Sequence, residues 1–116
     1  MIQFRAEQMP HFEAGVEDAF VQEQVRRLRA DFEDELARNG VSAELLPAVV
    51  RRGMEAARKH DFVRRPLMVF YLDCTAILGP DFDSRVPWAK EILRRQDLIT
   101  ESKADLLDQH LAFQPA

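Results

Sequence analysis

The sequence predicts an all-α protein: one domain over residues 1–116, built as a single compact bundle of about five helices around a central apolar one. Three observations carry this expectation. Apolar residues recur every three or four positions through most of the chain, the period of a helix with one buried face. Ala, Leu, Glu and Arg are plentiful while glycine occurs only 4 times in 116 residues, which favours helix. Finally, no segment alternates β-branched and aromatic residues over the length of a paired strand. With 47% hydrophobic and 31% charged residues, a chain of this size buries one core of its own.

Ile2, Gln3 and Phe4 alternate briefly and are expected to pack as an extended arm, followed by a short helix from about Ala6 that Pro10 limits. From Ala14 the pattern is helical. Val21, Val25, Leu28, Phe32 and Leu36 share one face, with Phe20 beside them, while Glu23, Arg26, Arg27, Arg29, Asp31 and Asp34 face elsewhere. Arg38, Asn39 and Gly40 end this helix, a cation near its negative pole and a glycine for the left-handed cap. Ser42 is the expected N-cap of the next, whose inner face is Leu45, Leu46, Val49, Val50, Met54 and Ala57. Gly53 on that face marks close approach by a neighbour. Arg51, Arg52, Arg58 and Lys59 form the one basic cluster, read as a solvated helix face.

From Leu67 to Leu78 only Asp73 and Thr75 interrupt an apolar run. A strand would align Met68, Phe70, Leu72, Cys74, Ala76 and Leu78. A helix would align Leu67, Phe70, Tyr71, Cys74, Ile77 and Leu78, with Val69, Leu72 and Ala76 on a second face. Pro66 at a first turn, Gly79-Pro80 as a stop and the lack of a partner strand decide for a helix buried on more than one side. The run is too short to cross a bilayer, so no membrane is expected as a partner. Gly79, Pro80, Asp81 and Asp83 then read as a structural turn, with at least one aspartate bonded to backbone N–H groups. A short helix follows from Pro87 or Trp88 to Arg94, with Trp88 and Ile92 inward. Thr100 is the expected cap of a last helix carrying Ala104, Leu106, Leu107 and Leu111, and the tail Phe113–Ala116 is expected to fray.

The net charge of −4 is spread evenly and lacks the basic field of a nucleic-acid binder. One cysteine excludes an internal disulfide and, with three scattered histidines, a thiolate zinc site. The first residues lack the regions of a signal peptide, so the cytoplasm is the expected location. Asp81-x-Asp83 is the one pair suited to a hard cation, but it has neither the glycine nor the spacing of an EF-hand. Cys74 sits mid-run and reads as an inert core thiol. No catalytic residue, metal or cofactor is expected. The surplus of large apolar groups near the turn makes Tyr71, Phe82 and Trp88 the candidate protein-binding residues.

The order of motifs adds a resemblance. A long helix ending in Asn39-Gly40 is followed by Val50-Arg-Arg-Gly-Met-Glu-Ala-Ala-Arg-Lys-His-Asp-Phe62. An apolar helix containing Tyr71-Leu72-Asp73 then runs into Leu78-Gly-Pro-Asp-Phe-Asp83, with Pro87-Trp-Ala-x-Glu-Ile-Leu93 after it. This resembles, from about Val16 to Leu107, small helical accessory proteins encoded beside bacterial type VI secretion effectors and their adaptor chaperones. Pro66 departs from the uninterrupted polar helix start expected there. The resemblance implies a non-enzymatic co-chaperone whose partner is an effector delivery chaperone and, through it, a toxic effector. The alternatives are an immunity protein that neutralises a neighbouring toxin, and a small metal-dependent enzyme using Asp81 and Asp83.

Overall fold

The computed structural model describes residues 2–113, with side chains over 15–113. Every regular element among them is helical. α1 (Ile2–Asp31) and α2 (Glu33–Arg38) are followed by α3 (Leu46–Lys59), α4 (Arg65–Leu78), α5 (Phe82–Arg85), α6 (Pro87–Arg94) and α7 (Thr100–Ala112). The described residues thus form seven helices rather than about five. The long first helix is bent at Phe32, and the turn after the central helix contains one more. Ile2–Phe4 belong to α1 instead of an extended arm, since an alternating segment has no strand to pair with here. Residues 114–116 of the expected fraying tail lie outside the described residues.

The bend at Phe32 interrupts the dihedrals (φ −132°, ψ 34°) but not the ladder. Phe32 N–H donates to the Leu28 carbonyl at 2.8 Å, and Leu36 N–H donates to that of Phe32 at 2.9 Å. Asn39-Gly40 ends α2, with Val41 N–H returning to the Leu36 carbonyl and Gly40 N–H to that of Ala37. α3 ends the same way with an aspartate in the glycine's place. Asp61 takes φ +65°, Phe62 N–H reaches the Ala57 carbonyl, and Asp61 N–H reaches that of Arg58. Aspartate tolerates this left-handed region better than most residues. At the other end α3 starts at Leu46, which keeps Pro47 within its first turn, and Ser42 caps the turn before it, its Oγ accepting from Leu45 N–H at 3.3 Å. Thr100 is likewise the first residue of α7, not its cap; Ile99 occupies that position.

α4 is central: it touches α1, α2, α3, α5 and α7. It buries Met68, Tyr71, Leu72, Cys74, Thr75 and Ala76, while Phe70, Ile77 and Leu78, expected on its main face, are half-buried. The rotation follows from α3. A Cβ on Gly53 would stand 2.9 Å from Leu72 Cδ2 and 3.4 Å from Thr75 Oγ1, so α3 lies directly over that stripe. Thr75 is admitted because its hydroxyl donates to the Tyr71 carbonyl at 3.0 Å. α1 contributes Val21, Leu28 and a buried Gln24. The molecule measures 51 × 38 × 19 Å, its thickness that of two helix layers. None of the described helices is long and apolar enough to cross a membrane.

Candidate functional site

The turn after α4 is held by distant side chains. Asn39 Nδ2 donates to the carbonyls of Ala76 (3.0 Å) and Ile77 (3.1 Å), and Arg85 donates to those of Leu78 and Pro80, both at 3.1 Å. Those of Ala76, Ile77 and Leu78 are carbonyls that the end of α4 leaves without intrahelical partners, and Pro80 belongs to the turn itself. Asn39 and Arg85 converge on Gly79, whose φ of +102° and lack of a Cβ leave them room; a Cβ there would lie 2.5 Å from Arg85 Nη2.

The two aspartates do not act as expected. Among the described residues neither carboxylate accepts from a backbone N–H. Asp81 Oδ2 accepts from Arg52 at 2.8 Å, and Asp83 Oδ2 lies 3.1 Å from His60 Nε2. The reason lies in the backbone: Asp81 adopts φ +63° ahead of α5 and makes no side-chain cap, so its carboxylate is free to meet α3. The pair therefore engages two separate partners on α3 and its end, tying the turn to that helix.

Tyr71 and Phe82 are each 1% exposed and offer no surface to a partner in this conformation. They are core residues, corrected from candidate anchors. Tyr71 packs between Phe62 (ring centroids 5.4 Å apart), Phe82 (4.9 Å) and His60 (6.1 Å). Its hydroxyl is buried without a well-formed hydrogen bond, and burial, with the Asp83 carboxylate near it, pushes its pKa far above the ordinary value. Trp88 is half-buried and stacked on His110 at 4.5 Å with 9° between planes. Cys74 is fully buried, and burial first, then the Asp73 and Asp108 carboxylates, raise its thiol pKa.

Arg27 on α1 makes one polar link within its own helix and one to the core helix. Arg27 Nε donates to the buried Gln24 Oε1 at 2.8 Å, and Arg27 Nη1 stands 2.7 Å from Asp73 Oδ1, a charge contact outside hydrogen-bond alignment. Burial raises the Asp73 pKa although Arg27 opposes the shift. Three members of the basic cluster are also engaged: Arg51 with Asp18 (2.5 Å), Arg52 with Asp81 and Arg58 with Glu17 (both 2.8 Å). The cluster is not a free cationic field.

The open apolar surface lies elsewhere, in a cleft of about 660 Å³ where α1, α3 and α4 meet. Phe20, Met54 and Met68 line it. Val16 and Val63 stand beside them, 54% and 58% exposed. Glu17 and Glu23 edge it on α1, Arg58 and Arg65 on the opposite wall. Arg65 donates to Glu23 at 2.6 Å and its guanidinium lies 5.2 Å from the Phe20 ring centroid. Met54 is buried, as expected for the inner face of α3, but the sequence reading missed the cleft. The available signal was that Val16 and Val63 are apolar residues off the buried stripes of their neighbours. Compared with known proteins, the chain matches no family model, and neither a curated protein nor a solved structure is similar to it.

Proposed function

We propose that this protein is a non-enzymatic accessory factor, a co-chaperone that binds an effector delivery chaperone and assists the loading of a type VI secretion effector. The observation that carries the protein-binding part is the cleft between α1, α3 and α4. Val16 and Val63 remain more than half exposed beside an apolar floor with charged edges. Apolar centres ringed by polar groups are the arrangement in which a few anchor residues supply most of an interface's energy. The choice of partner rests on the resemblance of Val16–Leu107 to secretion accessory proteins, and the same reading implies action in the bacterial cytoplasm.

The test is complex formation between the purified protein and the delivery chaperone of its own host, followed by size-exclusion chromatography with light scattering. Val63→Glu should abolish the complex while circular dichroism and the melting temperature stay nearly unchanged, because Val63 is 58% exposed and outside α3 and α4. Unaltered binding by the Val63→Glu protein would remove the cleft from the interface. Direct neutralisation of a neighbouring toxin, with no chaperone present, would replace the co-chaperone by an immunity protein.

A further inference from the structure

The apolar stripe of α1 does not by itself fix where along its axis the helix sits. Among the described side chains of α1, those buried are Val21, Gln24 and Leu28. A screw motion of four residues, about 6 Å along the axis, would bring Val25, Leu28 and Phe32 to their places. Every buried place would then be apolar, and a leucine would replace the amide of Gln24. The other one-turn steps are closed. Four residues the opposite way would set Glu17 in the place of Val21, and three residues would set Asp18 there or Asp31 in the place of Leu28. The chain has the length for the open step. The four residues from Glu33 to Leu36 would bridge what eight helical positions span now, about 12 Å, and four extended residues reach about 13 Å. Glu33 and Asp34 are exposed, so unwinding them uncovers little.

The charges of α1 oppose that step. Arg27 stands against Asp73 at 2.7 Å and Glu23 against Arg65 at 2.6 Å. In the second register Asp31 would take the place of Arg27 against Asp73, and Arg27 the place of Glu23 against Arg65, so both attractions become repulsions. The contact at Asp73 weighs more. Its carboxylate is half-buried, burial already raises its pKa, and Arg27 is the group that counters that shift. A second carboxylate in place of the guanidinium would leave it buried without a cation. The Asp18–Arg51 and Glu17–Arg58 pairs would also be lost, but they are exposed and count for little.

We propose that the Arg27–Asp73 contact is the lock on a one-turn slide of α1, whose apolar stripe admits a second register that the charges exclude. Burial attaches the helix, and charge selects its position. Movement of one packed element past another by a single turn is an established form of conformational change. Here it would put Gln24 where Phe20 lines the cleft and Phe20 where Val16 stands, so the lock also sets the α1 wall of that cleft. None of this depends on the co-chaperone reading.

The experiment measures nitroxide distances by double electron–electron resonance in the full chain, between the exposed positions 22 and 55 and between 22 and 90, with Cys74 left in the core. The 55–90 pair, on α3 and α6, is the control. Arg27→Asp combined with Asp31→Arg restores opposite charges only in the second register. Both distances from position 22 should then move to those of an α1 displaced by about 6 Å along its axis, while the 55–90 distance stays. Asp73→Arg leaves α1 unaltered in sequence, repels Arg27 and attracts Asp31 in the second register, and should move the distances the same way. Unchanged distances in both variants would overturn the proposal. So would broad distributions from position 22, which mean a detached α1, or loss of helical circular dichroism in both, which means that only the native register folds.

Discussion

Tyr71 shows how a single residue's surroundings decide its role. Its ring is held by Phe62, Phe82 and His60, and it lines a cavity of about 20 Å³ together with Thr75 and Asp83. The ring supplies the packing and the hydroxyl is buried without a well-formed hydrogen bond. Removing a buried hydroxyl that makes no hydrogen bond is neutral or favourable, whereas removing one that does costs about 1 kcal/mol. Tyr71→Phe should therefore leave the unfolding free energy unchanged or raise it, as read from urea titration. A loss above about 1 kcal/mol would mean that the hydroxyl is bonded to Asp83 in solution.

Among the elements, the end of α4 depends on a residue 37 positions earlier in the chain. Asn39 sits at the C-cap of α2, and the same amide that bonds Glu35 of its own helix donates to Ala76 and Ile77. One side chain thereby closes two helix ends and fixes how they meet. Asn39→Ala leaves two carbonyls of α4 without their donor, and it should cost about 2 kcal/mol in chemical denaturation. A cost below about 0.5 kcal/mol would show that solvent replaces the amide without penalty. Gly53 plays the matching part in packing. Leu72 is fully buried and its Cδ2 would stand 2.9 Å from a Cβ on residue 53, so the close packing of α3 on α4 relies on the missing side chain there.

For the molecule as a whole, the attachment of α1 combines an apolar stripe with charge. Val21 and Leu28 are buried, and Asp18, Glu17, Glu23 and Arg27 meet Arg51, Arg58, Arg65 and Asp73 across the layer. Most of these charges are well exposed, and ion pairs in water contribute little. Raising salt from about 0.1 M to 1 M shortens the screening length from about 10 to 3 Å, yet the melting temperature should move by less than about 5 °C. A larger fall would mean that charge, not the buried stripe, holds α1 in place.

Helix class, the apolar face of α3 apart from the exposed Leu45, the stop at Asn39-Gly40, the close approach at Gly53 and the burial of Cys74 were all legible in the sequence. Each is set by local spacing, by a residue's own backbone preference or by sheer apolar density. What folding alone decided was which groups meet. Asp81 and Asp83 carry the composition of a capping turn, but a left-handed Asp81 turns its carboxylate to Arg52. Phe82 and Tyr71 carry the composition of interface anchors, but the turn folds them inward against Phe62. The cleft belongs to the same class of fact. Val16, Met54, Val63 and Met68 come from three helices and a connection, so the cleft they line arises only when α1 lies across α3 and α4. Helical periodicity is a property of neighbours a few residues apart, whereas a surface between helices depends on the angle and depth at which distant segments pack.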